Sequence, residues 1–365
     1  MSGLLDRIQP HLRDAPPYVP VEPPEEVARR IGLPAGDIVK LDANENPYGP
    51  SPRVVEALAR GRSYHIYPDP EQRKVRAALA SYVGFDPAWL IAGAGSDELI
   101  DLLVRLFVPP GGRIVNFPPT FGFYPFLAGV HGARTIDVIR RADFSLDLEG
   151  AASAAAEADV VFVASPNNPS GTLLASSELR TLLAAGKPVI LDEAYVEFAG
   201  ESLSGLVREY ENLIVLRTLS KWAGLAGLRL GYMIARPELI DVVMRVKQPY
   251  SVNVAAEAAT LASLGDLDGL QERVRAIVAE RERMASLLAG LPGFAVTPSR
   301  ANFVLCRLDG LSARDVHARL RDRGVLVRYF DTPLLQNHIR VSAGRPDQTD
   351  ALMRALREII APARV

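Results

Sequence analysis

From about residue 70 to residue 235, short and nearly continuous apolar runs alternate with stretches of helical period. The runs predict strands over 89–92, 113–117, 134–138, 159–164, 188–192, 213–217 and 230–234. Several are almost solid in Val, Ile and Leu, the pattern of strands covered on both faces. Between them, 96–107 places Leu99, Ile100, Leu103, Leu106 and Phe107 on one helical face. This alternation predicts an α/β domain built on a mainly parallel, seven-stranded sheet.

Beyond Asn253 the rhythm changes. Long helical patterns over 255–264 and 270–288 precede short strands at 303–307, 325–327 and 338–341 and a last helix over 348–360. That order predicts a smaller α+β domain. Upstream, Pro16, Pro17, Pro20, Pro23, Pro24 and Pro34 fix φ and remove donors. They predict an extended arm with at most one short helix near 25–31, lying on another surface such as a partner subunit. The expected division is an arm over 1–40, a large domain over 41–253 and a small one over 254–365.

Composition narrows the class. The chain has 365 residues, 48% apolar and 23% charged, with a net charge of −2. That balance suits a globular protein and offers no basic field for nucleic acid. The single cysteine and five scattered histidines have no ligand spacing, so no metal is expected. The first 14 residues carry charges and no apolar leader core, and no run nears the ~20 apolar residues of a membrane span. A cytoplasmic enzyme is expected.

The candidate chemistry lies just past predicted strand ends. Lys221 emerges among apolar, glycine-containing neighbours, where lost solvation disfavours its ammonium form and leaves a nucleophilic amine. Alone it reads better as an ordinary solvated surface lysine. Asp192 ends an apolar strand, where a carboxylate can keep a pyridine nitrogen protonated, and Tyr195 follows within reach of the same ring. An apolar strand closing on Asp-Glu also describes an ATPase element, but that needs a phosphate loop. Gly186-Lys187 is followed by Pro188 and lacks the upstream glycine. Asn168, held before Pro169, presents an amide or simply makes a turn. Gly95, Ser96 and Asp97 open the clearest helix, as a phosphate seat or as a plain N-cap at Ser96. Arg229 lies eight positions beyond Lys221 and offers the same phosphate a fixed charge. Phe121, in a loop after a strand, offers a stacking face.

The set resembles the fold-type-I pyridoxal-phosphate (PLP) aminotransferases, and within them the histidinol-phosphate aminotransferase family. The likeness runs through Leu41-Asp42-Ala43-Asn44-Glu45-Asn46-Pro47, Tyr67-Pro68, Pro118-Pro119-Thr120-Phe121-Gly122, Asn167-Asn168-Pro169-Ser170-Gly171, Asp192-Glu193-Ala194-Tyr195, the stretch 217–229, and Ile339-Arg340. It implies that Lys221 bears the cofactor and shuttles a proton, and that Asp192 pairs with the ring nitrogen. Asn168 and Tyr195 would bond the ring oxygen. Gly95, Ser96, Asp97, Thr218, Ser220 and Arg229 would hold the phosphate, joined by Tyr67 from the other subunit of a homodimer. Arg340 would clamp a substrate carboxylate, with Arg328, Tyr18 and Asn44 completing the substrate site. The implied reaction turns L-histidinol phosphate and 2-oxoglutarate into imidazole-acetol phosphate and glutamate by a ping-pong route, in histidine biosynthesis. Aromatic amino-acid aminotransferases and threonine-phosphate decarboxylases share the cofactor residues. Phe121 replaces a common tyrosine, and Ala94, Ser170 and Ala343 are further departures. Tyr250 and Asn253 are candidates for the imidazole, or ordinary packing and turn residues.

Overall fold

The computed structural model describes residues 3–13 and 15–361; the remaining terminal positions, and Asp14, lie outside it. Among the described residues, twelve strands form two sheets. They are β1 (Val39–Leu41), β2 (Leu90–Ala94), β3 (Arg113–Asn116), β4 (Arg134–Asp137), β5 (Val160–Ala164), β6 (Val189–Asp192), β7 (Leu213–Thr218), β8 (Leu230–Ile234), β9 (Phe294–Thr297), β10 (Phe303–Leu308), β11 (Val325–Tyr329) and β12 (His338–Ser342).

The larger sheet has the order β2-β8-β7-β6-β5-β3-β4. All seven strands fall where the apolar runs predict them. The inner strands β5, β6, β7 and β8 are buried at every residue. Their two faces enter different cores. Val161, Val163, Val189, Leu191, Leu213 and Val215 join one, while Val160, Phe162, Ile190, Ile214 and Leu216 join the other. A strand with period two must therefore be apolar at every position, not at alternate ones. Each such side chain contributes about 1.5–3 kcal/mol by leaving water.

One strand departs from the parallel set. β8 runs antiparallel to both β7 and β2. Its start therefore lies at the edge where β2, β6 and β7 end, with Leu230 opposite Ala94 and Gly231 opposite Thr218. This reversal brings Arg229 to the C-terminal edge of the sheet, where ligands of such sheets bind.

The smaller sheet has the order β1-β11-β12-β10-β9. β1 comes from the start of the chain and pairs in parallel with β11, Val39 opposite Val325. The division expected at residues 40 and 41 runs through this strand. The arm holds more structure than its prolines predict. A turn of 3-10 helix at Leu4–Arg7 and a short helix at Pro10–Arg13 precede the helix Pro24–Ile31. It also lies on its own chain: His11 Nε2 meets the Val130 carbonyl at 3.2 Å, and the Tyr18 ring packs edge-on against Phe123 and Phe126, each at 5.7 Å. Pro16, Pro17 and Pro20 keep this stretch extended enough to cross the cleft between the sheets.

Candidate active site

A cavity of about 870 Å³ opens at the C-terminal edge of the larger sheet, roofed by Arg328, Arg340 and arm residues 16–21. Lys221 lies within it. Its turn is fixed from below: the Thr218 hydroxyl donates to the Leu230 carbonyl at 3.1 Å, and the Ser220 N–H donates to Thr218 Oγ1 at 3.1 Å. Lys221 Nζ reaches across to donate to the Ala43 carbonyl at 3.1 Å. Burial, with Arg340 next in effect, draws its pKa down to about 8.

Asp192 ends β6 on the cavity floor, and two donors hold it. Tyr124 Oη donates to Oδ2 at 2.5 Å, and the Ala194 N–H donates to Oδ1 at 3.0 Å. Burial still wins over both and pushes the carboxyl up to about 6. The sign of the consequence is definite. Between about pH 4 and about pH 6 the folded protein keeps a proton that the unfolded chain has released, so stability falls as pH rises through that window, by about 3 kcal/mol. In the ligand-free protein, Asp192→Asn is expected to raise the melting temperature by roughly 4 °C at neutral pH, and by much less near pH 4.5. Thermal denaturation at the two pH values checks this; an equal gap at both would contradict it.

Tyr124 was not among the expected site residues. It is fully buried in an otherwise apolar helix, Phe123–Val130, and stacks on Phe162 at 5.0 Å. A phenol in such a place needs a hydrogen-bond partner, and that need was its one signal in the sequence.

The helix Gly95–Phe107 aims its N-terminus at the cavity. Gly95 has φ +80°, and a Cβ there would stand 2.6 Å from Arg229 Nη2. Ser96 lies inside the first turn and is not the N-cap: the helix begins one residue earlier, and Glu98 Oε2 accepts from the Ala94 N–H at 2.6 Å. Arg229 donates to Asp97 Oδ2 at 2.8 Å. An ionised carboxylate only accepts, so the Asp97 side chain orients Arg229, while its backbone N–H belongs to the helix terminus. Ser96, Ser220 and Arg229 border the cavity as donors suited to a dianion, and Thr218 borders it with its hydroxyl proton given to the Leu230 carbonyl.

On the opposite wall, Arg340 donates to Asn168 Oδ1 at 2.6 Å and to the Asp42 carbonyl at 2.7 Å. Arg328 is its cross-strand neighbour and donates to the Val19 carbonyl of the arm at 3.2 Å. Tyr195 is buried beside them, and its oxygen accepts from Asn44 Nδ2 at 2.9 Å. Phe121 borders the cavity and meets Tyr124 edge-on at 5.5 Å. Thus Lys221, Asp192, Tyr195, Ser96, Asp97, Phe121, Asn168, Thr218, Ser220, Arg229, Tyr18, Asn44, Arg328 and Arg340 line one space. Gly95 shapes its edge from behind. Tyr67 does not enter it: the residue is 78% exposed and stacks on Tyr250 at 4.5 Å. Asn253 caps the helix Val254–Leu264, accepting from the Ala256 N–H at 2.9 Å. No metal-binding cluster occurs among the described residues.

A family model described as aminotransferase class I and II matches residues 36–356. The chain belongs to the class I and II aminotransferases. Among similar proteins, one from Roseiflexus castenholzii named histidinol-phosphate aminotransferase is 50% identical, over 98% of this chain and 99% of that one. A chloroplastic histidinol-phosphate aminotransferase of Nicotiana tabacum is 47% identical, over 96% of this chain and 86% of its own. The crystal structure of histidinol-phosphate aminotransferase from Sinorhizobium meliloti, in complex with pyridoxal-5'-phosphate, superposes with a TM-score of 0.88 at 31% identity, covering 97% of each chain. Its fold is that of the fold-type-I aminotransferases, with the cavity at the C-terminal edge of the larger sheet.

Proposed function

We propose that this aminotransferase moves the amino group of L-histidinol phosphate to 2-oxoglutarate, giving imidazole-acetol phosphate and L-glutamate, on pyridoxal 5′-phosphate. The pairing of Arg328 with Arg340 across β11 and β12 carries the reading, since both border the cavity beside Lys221. Two guanidinium groups side by side repel unless an anion joins them. Each substrate brings one: a phosphate on histidinol phosphate, a carboxylate on glutamate. Relatives of that name at 47% and 50% identity over nearly the whole chain support the same conclusion.

The residues fit PLP. Gly95 leaves room beside Arg229 that a Cβ would fill. Ser96, Ser220, Arg229 and the helix N-terminus supply donors for the phosphate. Phe121 offers the ring an apolar face, and Asp192 an acceptor for its nitrogen. Once a pyridinium sits beside Asp192, the carboxylate is favoured over the acid that burial alone selects. Asn168 and Tyr195, which line the same cavity, would bond the ring oxygen. When bound, PLP supplies an aldehyde that takes up the amino group and a ring that withdraws electrons. Lys221 would hold the cofactor by its amine and would serve as the base that moves the proton at substrate Cα. A lysine drawn down to about 8 is a usable base near neutrality.

Arg340→Ala is expected to lower kcat/KM for 2-oxoglutarate by about 100-fold or more, because it leaves Asn168 Oδ1 and the substrate carboxylate without their partner. Arg340→Lys keeps the charge but loses the two-pronged fork and is expected to recover only part of this. Steady-state kinetics with both variants checks it.

Tyr67 and Tyr250 stack into an exposed aromatic patch, with Tyr64, Ile66 and Val246 also exposed close by in the sequence. Such a patch suits a homodimer in which each copy lends Tyr67 to the other's phosphate seat. No helix among the described residues is long and apolar enough to cross a membrane; a cytoplasmic enzyme is the matching proposal.

The test is to titrate the PLP-loaded protein with L-histidinol phosphate, L-phenylalanine and L-threonine phosphate while following visible absorbance. Histidinol phosphate should bleach the band at far lower concentration than the others, and 2-oxoglutarate should restore it. An equal response to phenylalanine, or carbon dioxide released from threonine phosphate, would overturn the assignment.

A further inference from the structure

Asn44 faces Tyr195 rather than open space. It holds φ +55°, a left-handed conformation that asparagine tolerates better than most residues. Three contacts from the smaller sheet's side fix it there. The Asn44 N–H donates to Ser342 Oγ at 2.9 Å, the Ser342 hydroxyl donates to Asn44 Oδ1 at 2.9 Å, and Asn302 Nδ2 donates to the Asn44 carbonyl at 2.9 Å. Asn44, Asn302 and Ser342 are 1%, 0% and 3% exposed, so no solvent replaces these partners.

The contacts decide which way the amide points. Ser342 Oγ already accepts from the backbone of Asn44. If the amide turned over, the Ser342 proton would face an NH₂ group and be stranded without an acceptor, a cost of about 1–3 kcal/mol in a buried site. The amide therefore turns its NH₂ outward, and Nδ2 donates to Tyr195 Oη at 2.9 Å. A phenol oxygen that accepts a hydrogen bond still has its own proton to give. Among the described residues no acceptor takes that proton, and Tyr195 borders the cavity. Chained hydrogen bonds strengthen each other; burial raises the Tyr195 pKa, while Arg340 and then the Asn44 hydrogen bond act in favour of the ionised phenol.

We propose that Asn44 is a positioning residue: held by Ser342 and Asn302, it fixes Tyr195 as a hydrogen-bond donor to the ring oxygen of the cofactor. The inference rests on the placement of PLP proposed above. It also gives Asn44 a different task from substrate binding, the role that resemblance implies.

The readout is the pH at which the visible band of the PLP-loaded protein changes. That change marks loss of the proton shared between the Lys221 nitrogen and the ring oxygen. A donor at the ring oxygen stabilises the state that has lost it, so the donor lowers the midpoint. Tyr195→Phe should raise the midpoint by about one pH unit, the size of one hydrogen bond to a charged oxygen. Asn44→Gly keeps the left-handed backbone and adds no charge; it should raise the midpoint by part of that amount. The double variant should match Tyr195→Phe alone. An unchanged midpoint in Asn44→Gly, or a shift that adds to that of Tyr195→Phe, would overturn the proposal. If Asn44→Gly does not take up the cofactor, Ser342→Ala decides, since it frees the amide to turn: an upward shift upholds the proposal and an unchanged midpoint overturns it. Failure of the unaltered protein to show any band with added PLP would instead sink the cofactor placement itself.

Discussion

Lys221→Ala is expected to lower the rate of amino-group transfer by about 10⁴-fold or more. Two losses coincide. The amine that bears the cofactor disappears, and with it the base that moves the proton at substrate Cα; a positioned base alone accounts for about 10²–10⁴-fold. Lys221→Arg should not rescue, because a guanidinium stays charged and cannot take the proton. The cofactor itself should remain bound, since Ser96, Ser220 and Arg229 are untouched, but its visible absorbance should be altered. Single-turnover measurements on the loaded variant separate chemistry from binding. A rate within tenfold of the unaltered enzyme would rule out Lys221 as the catalytic amine.

Asp192→Ala should come second, with kcat lower by about 10³-fold. Removing one partner of a buried charge pair costs about 3–5 kcal/mol, and here that cost falls on the protonated ring that must draw electrons from the substrate. The variant also strands the Tyr124 hydroxyl, whose acceptor is Asp192 Oδ2. A PLP analogue methylated at the ring nitrogen carries its positive charge without a partner. It should restore much of the lost rate in Asp192→Ala and none in Lys221→Ala. Equal rescue of both, or of neither, would separate Asp192 from the ring nitrogen.

The larger sheet was legible because its strands are covered on both faces: runs such as Val189-Ile190-Leu191 have no polar positions to blur them. β1 and β9 were not. Val39-Lys40-Leu41 is three residues long, with a lysine in the middle, and becomes a strand only because β11 offers it an edge. β9 is mostly half-buried and gains its pairing from β10. In the site, groups at or just past strand ends could be read from position, as with Asp192 at the end of β6 and Lys221 after β7. Groups placed by tertiary packing could not. Tyr124 finds Asp192 across 68 positions, and Asn44 finds Ser342 across 298. Nothing local in either stretch encodes its partner. The same holds for the arm, whose prolines announced an extended chain but not the surface on which it lies.

The pairing of β1 with β11 also sets a timetable for the newborn chain. Val39 and its partner Val325 are 286 positions apart, 325 minus 39. At roughly 5–20 residues per second, the ribosome needs roughly 14–57 seconds to deliver that partner. The larger sheet, complete by Ile234, can fold well before then. Through that interval the N-terminal strand waits as an unpaired edge, open to a neighbouring chain on the same messenger. Slow translation or crowded polysomes should therefore harm this protein first at its smallest strand, long before the sheet that carries Lys221 is at risk.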